Sequence, residues 1–292
     1  MRRRRLLAVF TATCVLVLLP VLSQLSLAQG GQKPAAPPRP APRSTDGHII
    51  FGSPPGQKGT WGGVDNRMLI PEKPEEVGLR DANTSLTPEP GAFPKPKFSQ
   101  VPFQPWARGL YIFRATHEFE PYTRCKPVGG SRMVATAYGT DFIDVPEQKR
   151  IYITQTGGPH SFRPIYMDGR PHPTDMEPTY YGHSVGHWEG DTLVIDTIGF
   201  NERAWIDHRG LPTTEALHLT ERITRPDFNT LRYEMTIDDP GAYTQPWTTG
   251  MFFRWSAGAE QFEFLCQDGN LAPLLMIGAG NVKVERTSRV AP

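Results

Sequence analysis

The run His183–Ile198, HSVGHWEGDTLVIDTI, constrains the fold more than any other part of the chain. Two segments of alternating apolar and polar residues flank Glu189-Gly190-Asp191, and a glycine-containing pair between such segments is a hairpin signal. If Gly190 and Asp191 form a two-residue turn, Glu189 pairs with Thr192 and Trp188 with Leu193. Strand alternation then puts His183, Val185, His187, Val194, Asp196 and Ile198 on one face. Ser184, Gly186, Trp188, Leu193, Ile195 and Thr197 take the other. Asp196 lies opposite Val185 and diagonal to both histidines, which favours a His–Asp contact that fixes an imidazole tautomer.

The pattern recurs. Met133–Val145, Arg150–Gln155, Arg163–Met167, His183–Trp188, Thr192–Ile198, Leu217–Thr224, Thr230–Asp238, Trp247–Trp255 and Gln261–Cys266 are short, rich in β-branched or aromatic residues and bounded by turn residues. They predict a mainly β fold: an antiparallel up-and-down meander closed as a lipocalin-like barrel, since closure removes exposed strand edges. A two-sheet sandwich is the second choice. One short helix is expected over Pro105–Glu118, with proline at its start and Trp106, Leu110, Phe113 and His117 at helical spacing. A further short helix, Leu271–Ile277, and a last strand, Val282–Arg286, are expected in the tail.

Residues 1–28 read as a signal peptide. Arg2–Arg5 precede the apolar run Leu6–Leu22, and Ser26-Leu27-Ala28 fits a cleavage site. Pro20 interrupts that run, which is shorter than the ~20 residues of a membrane span. The expected location is the periplasm or the outside of the cell, with no membrane insertion after cleavage. Cleavage would remove four of the 31 basic residues, leaving 27 against 30 acidic ones. A weakly acidic chain offers no electrostatic case for nucleic acid. Cys14 would leave with the signal. Cys125 and Cys266 then form either a disulfide, which an oxidising compartment favours, or two separate thiols. The disulfide would close a loop of roughly 140 residues, worth about 4–5 kcal/mol in the chain-entropy picture.

Residues 29–104 are rich in proline and glycine and are expected to form an extended arm, partly disordered, with His48–Phe103 lying as a strap on a barrel domain of residues 105–292. The arm could also dock a protein partner.

Alternation also sorts the chemistry. In Leu217–Thr224, Glu221 shares a face with Leu217, Leu219 and Ile223, so it projects into the core beside Tyr233 of the next strand. An inward carboxylate must be paired, hydrogen-bonded or raised in pKa. It either pairs with an arginine or serves as an acid–base group. His218 and Arg222 fall on the outer face. The long loop 199–216 carries Asn201, Trp205 and Asp207 and has the length of a lid. Residues 157–175 add His160, Arg163, Asp168, Arg170 and His172.

Candidate catalytic residues are therefore Glu221, Asp207, His218 and Asp196. Candidate ligand contacts are Asn201, Trp205, Tyr233, His183, His187, Arg163 and His160. On a strand His183 and His187 lie ~13 Å apart, too far for one zinc, and there is no CxxC or HExxH, so no metal is expected. No phosphate loop, dinucleotide fingerprint or nucleophile elbow is present, and the cofactor is unknown.

RCKPVGGSRM, IYMDGRPHP, GHSVGHWEGDTLVIDTIGFNERAW and ALHLTER resemble blocks of a large family of uncharacterised exported bacterial proteins, over residues 105–270. The resemblance implies a lipocalin- or calycin-like barrel and no particular activity. It matches the family pattern at Asp191, Asp196, Asn201, Trp205, Asp207, His218, Glu221 and Arg222.

Two functions follow as expectations. One is an exported protein binding a small apolar or aromatic molecule in a cavity gated by loop 199–216. The other is a lyase, isomerase or hydrolase using Glu221 and a His–Asp pair in that cavity.

Overall fold

The computed structural model describes residues 37–64, 67–77, 91–135, 139–157 and 162–266. The expected signal peptide, His160, Leu271–Ile277 and Val282–Arg286 lie outside the described residues.

Among the described residues nine strands form one closed barrel, in chain order: β1 (Gly59–Val64), β2 (Thr140–Val145), β3 (Arg150–Gln155), β4 (Phe162–Tyr166), β5 (His183–Glu189), β6 (Thr192–Ile198), β7 (His218–Asp227), β8 (Thr230–Asp238) and β9 (Trp247–Ala257). The mainly β, closed-barrel expectation holds. The β5–β6 hairpin has the register read from the sequence, with Glu189 opposite Thr192 and Val185 opposite Asp196. Gly190 carries the positive φ (58°) that its tight turn requires.

An odd number of strands cannot alternate in direction all the way round a closed barrel. One neighbouring pair must be parallel, and it is β4–β5, through Ile165↔Ser184 and Tyr166↔Val185. Residues 167–182 therefore cross from one end of the barrel to the other before β5 begins. This crossover departs from a strict up-and-down meander and brings His172 to the outer face.

The barrel reaches back into the segment read as an arm, because β1 is its closing strand. β1 pairs with β9 from Gly59↔Ala257 to Val64↔Phe252 but meets β2 only at Trp61↔Thr140. The seam between β1 and β2 thus opens toward the end that holds the β2–β3, β5–β6 and β7–β8 turns. Strap residues 49–53 fill it. Trp61 Nε1 donates to Phe51 O (2.7 Å), and Ser53 Oγ donates to Gly59 O (3.2 Å). Gly52 lies so close to β2 that a Cβ there would fall 2.2 Å from Phe142 O. Arg225, buried on β7, donates to the carbonyls of Ile50, Gly52 and Phe228 and stacks 4.7 Å over Trp61.

Two expected strands are corrected. Ser131–Met133 is a 3-10 turn, closed by Met133 N–H on Gly130 O, so the first predicted strand begins only at Thr140. Residues 261–266 are not a strand. β9 already pairs with β8 and β1, and a closed barrel offers no edge for another. Cys266 is instead joined to Cys125 by a disulfide, Cα–Cα 5.6 Å.

Helix α1 (Pro105–His117) forms as expected, with Pro105 at its first position. Its buried stripe is Ala107, Tyr111 and Ala115, not the expected aromatic one, since Trp106 and Phe113 are exposed. The helix lies against the 3-10 turn Pro74–Glu76, with the bulkier rings outside. Tyr111 packs on Phe98 and Phe103, and Phe103 on Tyr243.

Candidate functional site

The barrel interior is lined by fully buried side chains, among them Trp61, Ile153, Leu193, Leu219, Tyr233 and Met251. Amid them sits a polar knot. Arg163 of β4 and Glu221 of β7 are 1% and 0% exposed and meet in a two-pronged pair: Nη1 donates to Oε1 (2.9 Å) and Nη2 to Oε2. Arg163 Nη2 also donates to Thr197 Oγ1 (2.7 Å) and its Nε to Ser184 Oγ (2.9 Å). Tyr233 OH donates to Glu221 Oε1 (2.5 Å).

Burial alone would lower the Arg163 pKa, but the Glu221 carboxylate outweighs it and raises it. Burial, then the Glu221 charge, holds the Tyr233 phenol protonated and so able to donate. Glu221 therefore faces inward as read, and it takes the arginine partner. A carboxylate whose oxygens are met by this fork and a phenol is a structural centre.

The outer face carries a second constellation. His183 Nδ1 lies 2.8 Å from His172 Nδ1, His172 Nε2 lies 2.8 Å from Asp196 Oδ1, and His218 Nε2 lies 2.7 Å from Asp196 Oδ2. A carboxylate only accepts, so both His172 Nε2 and His218 Nε2 carry hydrogens. Neutral His172 then accepts from His183 Nδ1–H. Asp196 thus orients two imidazoles and, through His172, a third.

The expected direct contact of Asp196 with His183 or His187 is replaced because the crossover inserts His172 between them. His187 instead points to Glu189 (3.3 Å) on the exposed surface, where Arg222 also binds Glu189 (2.7 Å). The register sets Glu221 opposite Ile195 and Asp196 opposite Thr220, so Glu221 and the histidine chain occupy opposite faces of the sheet. They share no cavity. Among the described residues no group of histidine, cysteine and carboxylate side chains is arranged to hold a metal.

Burial, then the charge that His172 would carry if protonated and the charge of Arg170, push the His183 imidazole below its ordinary 6.5. Burial would raise Asp196, but hydrogen bonds from His218 and His172 hold it below 3.8. The folded state thus binds fewer protons than the unfolded chain just below pH 6.5, and His183 makes stability fall there as pH drops. The contribution of Asp196 is present above 3.8 and is lost as pH falls through its lowered value. Replacing His172 with glutamine is expected to move the His183 midpoint upward in an NMR titration. An unchanged or lower midpoint would remove His172 from the chain.

Loop 199–216 is a plug. Trp205, Asp207 and Leu211 are buried, and Asp207 Oδ1 accepts the backbone N–H groups of Arg209, Gly210 and Leu211 at 2.8–3.1 Å. Asn201 Oδ1 takes Arg203 N–H (3.1 Å), and Arg114 stacks 5.0 Å over Trp205. The void beneath the loop is about 10 Å³, room for one water rather than a ligand. Asp207, Asn201 and Trp205 therefore hold the loop itself, and among the described residues the space beneath it is this small void.

A larger space lies at the other end, on the open seam. A cleft of about 420 Å³ runs between the strap and β2, walled by Ile49, Phe51, Phe142, Ile143, Ile151 and Trp188. Trp188 stacks with Phe51 (5.6 Å) and with His48 (4.9 Å), and Phe142 is tilted against Phe51 (5.7 Å). Asp141 and Asp144 reach the same cleft. A second cleft of about 490 Å³ adjoins it across Asp144 and Trp188, lined also by Asp46, Lys149, Arg150 and Asp168.

Sequence reading missed this site, although one signal was available. Phe142 faces Ile153 and Asp144 faces Ile151, so the alternation that turns Glu221 inward also turns Asp144 inward, at the barrel mouth. Comparison with family models, with curated proteins and with solved structures finds no match.

Proposed function

We propose that the chain is an exported small-molecule-binding β-barrel whose ligand occupies the seam cleft between strap residues 44–55 and β2. The observation that carries this reading is the cleft itself. Its volume of about 420 Å³ lies in the range of ligand sites, and its walls are mostly apolar and aromatic with a few polar groups at defined positions. Export rests on the basic and apolar pattern of residues 1–28 and on a disulfide suited to an oxidising compartment. Binding ranks above acid–base catalysis because Glu221 is closed off by Arg163 and Tyr233, while the histidine chain lies on the other face of the sheet.

The test is Trp188→Ala. Truncating the indole removes the wall on which Phe51 and His48 stack. Affinity for a naphthalene-based probe, read by calorimetry, is expected to fall about tenfold or more, since a buried aromatic contact is worth ~1.4 kcal/mol or above. Equal affinity of the folded variant and the parent would refute the placement of the ligand.

A further inference from the structure

Resting on the cleft reading above, we infer that the ligand is an organic cation: an ammonium group carried on a flat apolar body. Among the described residues, the charged side chains lining the 420 Å³ cleft are Asp141 and Asp144, and no basic residue lines it. Asp141 is half-buried on β2, and among the described residues its Oδ1 takes only the N–H of the next residue, Phe142 (2.9 Å). Asp144 points inward at the mouth beside Ile151.

The charges around them do not neutralise this pair. Asp46 and Glu147 add negative charge beside Asp144, opposed by His48. Lys149 and Arg150 line the neighbouring cleft, beyond Asp144 and Trp188. Arg225, a buried cation at this end, is turned to the carbonyls of Ile50, Gly52 and Phe228. Burial accordingly pushes both Asp141 and Asp144 above the ordinary carboxylate range.

Ligand charge decides among the occupants this cleft could take. A neutral aromatic would remove more water from the two carboxylates and return nothing for it. An anion would add repulsion. A cation supplies the missing partner, with charge-assisted hydrogen bonds to carboxylate, while its apolar body lies along Phe51, Phe142 and Trp188. Aromatic rings at the same wall favour ammonium groups further through their π faces.

The experiment is calorimetric titration of the full chain with three probes of one shape: 2-naphthylmethylammonium, 2-naphthylmethanol and 2-naphthoate. The ammonium is expected to bind at least tenfold more tightly than the alcohol, with the carboxylate weakest. Asp144→Asn and, separately, Asp141→Asn should each reduce that preference while leaving the affinity for the alcohol nearly unchanged. The second variant keeps the test open if the first fails to fold. If the alcohol or the carboxylate binds as tightly as the ammonium, the cation assignment falls and the cleft reading stands. If none of the three binds, the cleft reading falls with it.

Discussion

Replacing Arg163 with methionine is expected to destabilise the barrel by about 3–5 kcal/mol, because it strands Glu221 as an uncompensated buried charge. Arg163 and Glu221 are 1% and 0% exposed, so solvent screens neither. For a domain of this size the loss corresponds to a fall of roughly 6–20 °C in Tm. Denaturant unfolding checks it. The double variant Arg163→Met/Glu221→Leu should recover much of the loss, because replacing both members of a buried pair with apolar residues is far less costly than removing one. Equal losses in the single and double variants would mean that packing, and not the ion pair, holds β4 to β7. Because Glu221 is a structural centre, the double variant, once folded, should still bind a ligand in the seam cleft.

The Cys125–Cys266 disulfide carries the second large effect. The linked residues are 141 positions apart, so the cross-link removes much of the freedom of the unfolded chain. The chain-entropy picture gives about 4–5 kcal/mol. Changing both cysteines to serine should cost that amount in denaturant unfolding, and a reductant should lower the parent to the same level while leaving the variant unmoved. A parent insensitive to reductant under unfolding conditions would refute the estimate. Cys125 closes a 3-10 turn with a left-handed backbone, φ 57°, so the bridge anchors the segment between α1 and the barrel.

Most of the barrel was legible because its hairpins are locally encoded. β5–β6 and β7–β8 combine alternation with Gly190-Asp191 or Asp227–Asn229 turns; the β5–β6 register follows from its turn, while a bulge between Thr224 and Asp227 shifts that of β7–β8. β1 was not legible. Gly59-Thr60-Trp61-Gly62-Gly63 has little strand propensity; it becomes a strand because β9 offers it an edge and Trp61 fills the core. The parallel β4–β5 pair was hidden too, since the crossover of residues 167–182 has no helix to announce it. Helix α1 shows the limit of periodicity: two stripes of the same spacing were available, and packing chose the one with small side chains.

The chemistry followed the same division. The facing of Glu221, Tyr233, Asp196 and His218 came from alternation alone, and the registers agree. Their partners did not. Arg163 reaches Glu221, and His172 reaches Asp196, through elements that only tertiary closure brings together. Loop 199–216 had the length of a lid, but length does not distinguish a lid from a plug. Buried Trp205 and the three N–H groups gathered by Asp207 make it a plug. The seam cleft was least legible of all, because it exists only where a strap lies across two strands that separate.

Amide and indole chemical shifts during titration with 2-naphthylmethylammonium locate the ligand on or off the seam cleft. The largest shifts are expected on residues 44–55, on 141–151 and on the Trp188 indole, with loop 199–216 unmoved. Shifts centred on Trp205, Leu217 and Leu219, or none at all, would contradict this placement.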